Sequence, residues 1–145
     1  MNETKGSNSL TLSYTMLCDD VRLEVGNKIS LMGVFQSIMV QQLPVTLTKF
    51  AVVSHWRGDG VHLSEVRILT PDRAQPIALS QPMSFELGPG GFADNISFFV
   101  NVTFPVAGSY LVQTLVGSNL FDEFPLTVSV AEMGQEAVEY NEAVN

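Results

Sequence analysis

The segment "ISFFVNVTF", residues 96–104, carries an apolar side chain at every second position. This period of two indicates a β-strand with one face toward a protein core, because successive side chains of a strand point to opposite faces. The apolar face consists of Ile96, Phe98, Val100, Val102 and Phe104. The same kind of pattern extends outward on both sides of this strand.

Short apolar or alternating runs occupy most of the chain, and helical signals occur only in the C-terminal tail. Regularly spaced short strands without helices are typical of two-sheet sandwiches and barrels. We therefore predict an all-β fold, a single two-sheet antiparallel sandwich of about eight strands. The predicted strand segments are 10–18, 21–25, 29–40, 48–57, 61–68, 77–87, 96–104, 109–116 and 124–130.

Glycine, proline and asparagine mark the predicted turns. Gly26-Asn27 predicts a turn, and the glycines on either side of Asp59 predict a hairpin at 58–60. Residues 88–95 and 117–123 are predicted to be loops. Pro82 lacks the N–H that a central strand needs, so the strand at 77–87 is predicted to lie at a sheet edge.

The length of 145 residues fits one domain. We predict that the sandwich covers residues 10–130. Residues 1–9 and the acidic segment 131–145 are predicted to be flexible ends, because they are polar and lack a strand pattern.

The composition argues against two classes of partner. Apolar residues make up 46% of the chain and charged residues only 15%, so some apolar surface is expected to be covered by another chain, including a second copy. The net charge is −8, and the basic residues of the sandwich form no cluster. We therefore expect neither nucleic acid nor an anionic membrane surface as a partner.

The expected location is the cytoplasm. A single cysteine cannot form an internal disulfide, which suits a reducing compartment. The first ten residues carry no apolar core of a secretory signal, and no run reaches the length of a membrane-spanning helix.

Two stretches resemble known families. "FPVAGSYLVQTLVGSNLFDEFPLTVSV", residues 104–130, resembles the last two strands of immunoglobulin-like and fibronectin-III-like sandwiches, with Gly108-Ser109-Tyr110 where their penultimate strand begins. The resemblance implies an immunoglobulin-like sandwich in the loose sense, with a tyrosine hydroxyl bonded to a nearby backbone group. "MLCDDVRLEVGNKISLMGVFQSI", residues 16–38, is similar to the opening of a family of small bacterial β-sandwich proteins of unknown function.

Cys18 lies beside Asp19 and Asp20. A nucleophilic cysteine needs a histidine or a cation to favour its thiolate, whereas two carboxylates disfavour it. Cys18 also continues the apolar face of the first strand, so we predict a buried structural residue. The two aspartates are predicted to end the strand at a sheet corner.

His55 and His62 flank the predicted hairpin at 58–60. If residues 58 and 59 are the central pair, the two histidines face each other and are weak candidates for a metal site with Asp59 or Glu65. If residues 59 and 60 are central, the histidines do not pair.

Alternating strand directions would bring several acidic loops to one end of the sandwich. Loops commonly carry function on a rigid scaffold, and such an end would contact a basic protein, calcium or a carbohydrate. The candidate contact residues are Asp19, Asp20, Asp59, Asp94, Asp122 and Trp56. An exposed Trp56 would favour carbohydrate binding, and a buried one would favour a protein partner.

No Gly-x-Ser-x-Gly, His-Glu-x-x-His or Cys-x-x-Cys motif occurs. We therefore expect no catalytic residues, no cofactor and a non-enzymatic function, namely a binding or assembly module that contacts a protein partner through loops or a sheet edge. The alternatives are a sandwich that binds calcium or carbohydrate at the acidic loop end, and a hydrolase whose site carries no readable motif.

Overall fold

The computed structural model describes residues 9–131, so the two predicted flexible ends lie almost entirely outside the described residues. Within 9–131 the chain is all β, as predicted, and contains no helix; none, therefore, has the length and apolar character to cross a membrane. The strands are β1 (Leu10–Glu24), β2 (Lys28–Phe35), β3 (Ser37–Val40), β4 (Val45–Leu69), β5 (Pro76–Leu79), β6 (Met83–Phe104), β7 (Gly108–Val116) and β8 (Asn119–Val130).

All eight strands belong to one hydrogen-bonded sheet in the order β2-β1-β4-β7-β8-β3. β5 and β6 also pair with β4, which is therefore the strand that joins the rest together. Every pair is antiparallel except β3 with β8, which are parallel. The predicted single strand at 77–87 is wrong, because the segment divides into β5 and the start of β6 and Pro82 lies between them; both strands pair with β4 alone among the described residues and so lie at an edge.

The predicted hairpin at 58–60 and the predicted loop at 88–95 are wrong. β4 and β6 run through these segments as continuous strands, and Gly58 lies opposite Gly91 where the register shifts. The glycines make this irregularity possible, because Gly58, Gly60 and Gly90 adopt positive φ angles of 143°, 96° and 71°. They act as a bulge within a strand pair, which enhances local bending and twist.

β4 bends back so that its two ends approach each other. Phe104 lies opposite Val45 at the start of β4, and Leu111 lies opposite Leu69 at its end. A straight strand from Val45 to Leu69 would span about 80 Å. The ring of Phe104 nevertheless lies 5.1 Å from the ring of Tyr110, the residue before Leu111.

The main core lies between the two halves of this bent sheet. On one side it contains residues from the first half of β4 and from the C-terminal part of β6. On the other side it contains residues from the second half of β4, β7 and β8. Its buried members are Leu17, Ile38, Phe50, Val52, Val66, Ile68, Ala78, Phe99, Val102, Phe104, Tyr110, Val112, Leu126 and Val128.

The turn between β1 and β2 and one tyrosine follow the sequence pattern closely. Gly26 and Asn27, both with positive φ, connect β1 to β2 as predicted. Gly117 and Ser118 alone connect β7 to β8, so the predicted loop at 117–123 is shortened and Asp122 lies within β8. The Tyr110 hydroxyl donates to the Val106 carbonyl oxygen at 2.7 Å, which is the backbone bond that the resemblance implied.

Candidate functional site

The acidic candidates are not brought into one cluster. Asp20 lies 3.0 Å from the Lys49 ammonium, whereas Asp59 lies ten residues farther along β4, a separation of about 33 Å in a straight strand. Asp94 is paired with His55. Asp122 lies in β8, opposite Thr114 of β7. Within residues 9–131, no three His, Cys, Asp or Glu side chains are placed to hold a metal ion.

The segment around Cys18 is not a sheet corner. β1 continues through Asp19 and Asp20 to Glu24, so the prediction that the aspartates end the strand is wrong. Cys18 itself is fully buried, as predicted. Burial raises the pKa of its thiol, and the charges of Asp19 and Asp20 raise it further. The hydrogen bond from the Lys49 ammonium holds the pKa of Asp20 below its usual range.

Trp56 cannot serve as a surface contact. Its side chain is fully buried, with its ring 5.5 Å from the ring of Phe85 and 5.3 Å from that of Phe121. This correction follows from the bend of β4, which turns the Trp56 face of the strand toward β8. A carbohydrate site built on an exposed Trp56 is therefore excluded.

The two histidines do not face each other. Because β4 is continuous, His55 lies opposite Tyr14 and Asp94, while His62 lies opposite Phe85. The His62 Nε2 atom lies 2.8 Å from the carbonyl oxygen of Asp59. The proposed pairing of His55 with His62 as metal ligands is therefore wrong.

His55 belongs instead to a cluster that the sequence analysis missed. Its Nδ1 atom lies 2.6 Å from Asp94 Oδ1, and its ring stacks on Tyr14 and Phe92 with centroid distances of 5.1 and 5.5 Å. Burial, and secondarily the Asp94 charge, raises the pKa of Tyr14. These residues come together only through the registers of β1 and β6 against β4, which no local motif encodes.

A carboxylate that orients a histidine is one part of a nucleophilic site. The remaining part, a hydroxyl or thiol hydrogen-bonded to the imidazole, is absent among residues 9–131, because the only hydrogen-bond partner of His55 there is Asp94. The cluster therefore orders the face of the sheet without completing a catalytic arrangement in the described part of the chain.

The more distinctive feature is an incomplete strand edge. β1 pairs with β4 from Leu10 to Cys18, but β2 joins its other side only from Leu17 onward. Among the described residues, the segment from Leu10 to Met16 therefore has a strand on one side only. A strand edge of this kind presents N–H and C=O groups that can pair with another strand.

A groove of about 440 Å³, called here the edge groove, opens beside this unpaired segment. It lies between β1 and β8, at the point where the chain leaves β2 toward β3. Two of its apolar residues are substantially exposed, Met16 at 38% and Val34 at 49%. The lining residues are Thr15, Met16, Leu17, Val34, Phe35, Gln36, Phe124, Pro125 and Thr127.

The edge groove also contains a polar atom without a partner. Thr15 Oγ1 is buried and makes no hydrogen bond to any described residue, and the same holds for Ser54 Oγ. Thr15 lies directly opposite Ser54 in the β1–β4 register, so the two hydroxyl-bearing side chains are neighbours on one face. Buried polar groups normally have a hydrogen-bond partner, but Trp56 Nε1 and Thr114 Oγ1 are also buried without one among the described residues.

Comparison with solved structures finds a shared fold. The chain is similar to part of a β-D-glucoside glucohydrolase from Trichoderma reesei, with 11% identity, a TM-score of 0.52, and coverage of 83% of this chain and 19% of that one. A β-glucosidase from Listeria innocua and the alkylpurine DNA glycosylase AlkC from Pseudomonas fluorescens give TM-scores of 0.49 at 12% and 9% identity. The chain covers 16% and 30% of their lengths, and they cover 83% of this chain.

The likeness to the fungal enzyme concerns the fold alone, because the identity is 11%, and the chain spans about a fifth of the length of that enzyme. No curated protein matches the sequence. A family model matches residues 13–129, which include β2 to β7 and most of β1 and β8. The protein therefore belongs to a family of unknown function, DUF6941, in agreement with the resemblance of its opening segment to such a family.

Proposed function

We propose that the protein is a non-enzymatic binding or assembly module that contacts a protein partner through the sheet edge formed by Leu10 to Met16. The unpaired backbone of this segment, beside the edge groove, is the observation that carries the proposal. Addition of a partner strand to an exposed edge is a recurrent mode of peptide recognition, in which main-chain hydrogen bonds supply affinity.

The proposal includes the finer features of the fold and the location. We describe the bent sheet as a two-layer, immunoglobulin-like sandwich, and the contact of Phe104 with Tyr110 and the Tyr110–Val106 bond support this description. A bacterial, cytoplasmic protein is supported by the resemblance of the opening segment and by a lone cysteine that is buried and unpaired.

The edge is favoured over the alternatives by geometry. Calcium binding at an acidic loop end would need several carboxylates in one place, whereas Asp20 on β1 lies beside Lys49, ten residues from Asp59 on β4. A hydrolase would draw on the contact between His55 and Asp94, which lacks a hydrogen-bonded nucleophile in the described part of the chain.

The test is to block the edge without disturbing the sheet. Ser13 is exposed and has no partner in the β1–β4 register, which passes from Leu12 to Tyr14. Ser13→Pro should therefore disturb the β4 pairing less than a proline at a paired position would, while it removes an N–H and adds a ring within the edge segment. Ser13→Ala is the matched control, because it loses the hydroxyl and keeps the N–H.

Tagged wild-type protein and both variants would be used to capture partners from an extract of the source cells. Circular dichroism would first establish that both variants are folded. We expect a protein that is retained by the wild type and Ser13→Ala and lost from Ser13→Pro. Equal capture by Ser13→Pro, or no capture by the wild type, would contradict the proposal.

A further inference from the structure

We infer that two copies of this chain associate through β6, whose free edge from Asn95 to Val100 pairs antiparallel with the same edge of the second copy. This inference goes beyond the proposed function and does not depend on it, because β6 and the Leu10 to Met16 edge flank β4 on opposite sides. It is carried by three properties of β6: its unpaired backbone, its lack of charge, and two exposed apolar side chains.

The backbone of β6 is open along its outer side. β6 pairs with β4 alone among residues 9–131, and residues 95–100 take part in none of the backbone hydrogen bonds outside the strand registers. Their outward N–H and C=O groups therefore have no backbone partner in the described part of the chain. Such an edge is a template for pairing with another strand, because a second strand satisfies these groups in turn.

This edge lacks the features that protect other edges of the sheet. β3 and β5 have only four residues each, β5 begins at Pro76, and β2 contains Gly33 with a φ of 68°. Short strands, proline and irregular backbone all hinder pairing with another chain. The segment from Asn95 to Val100 is instead regular in its register with β4, and it contains no charged residue, glycine or proline.

Two exposed side chains make this edge complementary to itself. Phe98 is 52% exposed and Val100 is 64% exposed, whereas Phe99 between them is buried in the main core, so the exposed pair lies on the opposite face of the sheet. A two-fold axis at Phe99 places Phe98 of one copy opposite Val100 of the other. An aromatic residue opposite a β-branched residue is a favourable cross-strand pair, and an isologous interface requires a patch that fits itself.

A groove of about 310 Å³ lies along the same edge. Its lining includes consecutive residues of β6 that point to opposite faces, Ile96, Ser97 and Phe98, so the groove opens at the edge of the strand. Leu79 and Met83 also line it, and none of its lining residues is charged. A second copy at β6 would cover this groove without bringing like charges together there, although the chain carries a net charge of −8.

The first test is the oligomeric state of the full-length chain. Sedimentation velocity between about 1 and 500 μM should show a reversible equilibrium between monomer and dimer, with a Kd in the micromolar range because the interface is small. Val100→Glu should raise this Kd at least about tenfold, because it places a charge within the pairing segment. Lys49 lies opposite position 100 on β4, so the folded monomer should tolerate the glutamate.

Val25→Glu is the matched control, because it makes the same change at a turn residue that is 94% exposed. Its Kd should equal that of the wild type. Circular dichroism would establish that both variants are folded.

The second test locates the contact without any substitution. NMR of a mixture of isotope-labelled and unlabelled wild-type protein detects only contacts between copies. We expect intermolecular NOEs between the ring of Phe98 and the methyl groups of Val100. The amides of residues 95–100 should become better protected from exchange as the protein concentration rises.

A wild type that remains monomeric at about 500 μM would overturn the inference. A dimer that Val100→Glu leaves intact would also overturn it, as would intermolecular NOEs confined to Leu10 to Met16. Protection of the β6 amides in a monomer would show that another segment of the same chain covers this edge, with the same consequence. The NOE experiment decides the question even where a variant is unstable.

Discussion

Cys18 shows how burial and charge act together on one residue. It lies opposite Val34 on β2 and Ala51 on β4, so paired strands enclose it on both sides. It forms a small second cluster with Ala51 and Val53 on the sheet face away from the main core. Its pKa is raised, by burial first; a backbone hydrogen bond from Asp20 acts against this, and the charges of Asp19 and Asp20 add to it, so the thiol form is favoured. The thiolate is the reactive form, which makes Cys18 structural and inert.

We predict that Ellman's reagent will modify Cys18 at pH 8 at least about 100-fold more slowly in the native protein than in guanidinium, because both access and thiolate formation are restricted. The time course of absorbance at 412 nm measures both rates. Rapid modification of the native protein would show that the strands around Cys18 open readily.

The burial of Tyr14 in its cluster with His55 and Asp94 makes the free energy of unfolding depend on pH in the alkaline range. The pKa of Tyr14 is raised above its usual value of 10.0 in the folded state, by burial first and by Asp94 next. The folded protein therefore holds the phenol proton more tightly than the unfolded chain does. The resulting stabilisation is complete below pH 10 and is lost as the pH rises through the folded pKa.

We predict that Asp94→Asn will lower the pKa of Tyr14 and still leave it above 10.0, because burial remains when the charge is removed. Absorbance at 295 nm during alkaline titration measures the phenolate, and Tyr14→Phe identifies the contribution of Tyr14. If Asp94→Asn leaves the titration of Tyr14 unchanged, Asp94 does not act on it.

At the scale of the strands, the paired glycines of β4 and β6 decide the architecture. Gly58 adopts a φ of 143°, and a Cβ atom there would overlap the carbonyl oxygen of Ser9. Gly90, on the opposite strand of the same irregularity, has a φ of 71° and open space around its Cα. Both positions require an unusual backbone conformation, but only Gly58 is also closely packed.

We therefore predict that Gly58→Ala will lower the free energy of unfolding by roughly 2–4 kcal/mol, since strain and overlap add. Gly90→Ala should cost about 1 kcal/mol, since only the backbone strain applies. Urea unfolding of the two variants makes the comparison. A cost at Gly58 no greater than that at Gly90 would mean that the Ser9 segment moves aside freely.

At the scale of the whole molecule, β4 and β6 belong to both halves of the bent sheet. The first half of β4 pairs with β1 and the second half with β7, while β6 follows β4 across the bend. The core between the halves contains residues from both parts of β4. Because separation of the halves would expose this shared core, the halves are expected to unfold together.

We predict a single cooperative unfolding transition. Trp56, the only tryptophan, is buried near the bend and reports on that region by fluorescence, while circular dichroism reports on all strands. The two signals should give the same midpoint in urea. Two separate midpoints would show that the bend and the remainder of the sheet unfold independently.

The predictability of the site differed from residue to residue. Burial of Cys18 followed from the period-two pattern of its own strand, and the Tyr110 hydroxyl bond followed from a resemblance that spans a few residues. The positions of His55 and Asp94 depended on whether the chain turns or continues at Gly58-Asp59-Gly60. Glycine permits both outcomes, because it adopts a turn and a bulge with equal ease.

The sequence by itself determined that the described chain is all β and that Cys18 is buried. These properties depend on side-chain alternation and local conformational preference, which act within a few residues. The predicted core face of residues 96–104 is wrong in part, because Phe98 and Val100 are exposed and Phe99 is buried. Only the tertiary structure decided that β4 and β6 are continuous, that Trp56 is enclosed, that the acids are dispersed, and that Leu10 to Met16 is left without a second neighbour. These properties depend on the register between strands that are distant in the chain, and register is set by packing of the whole core.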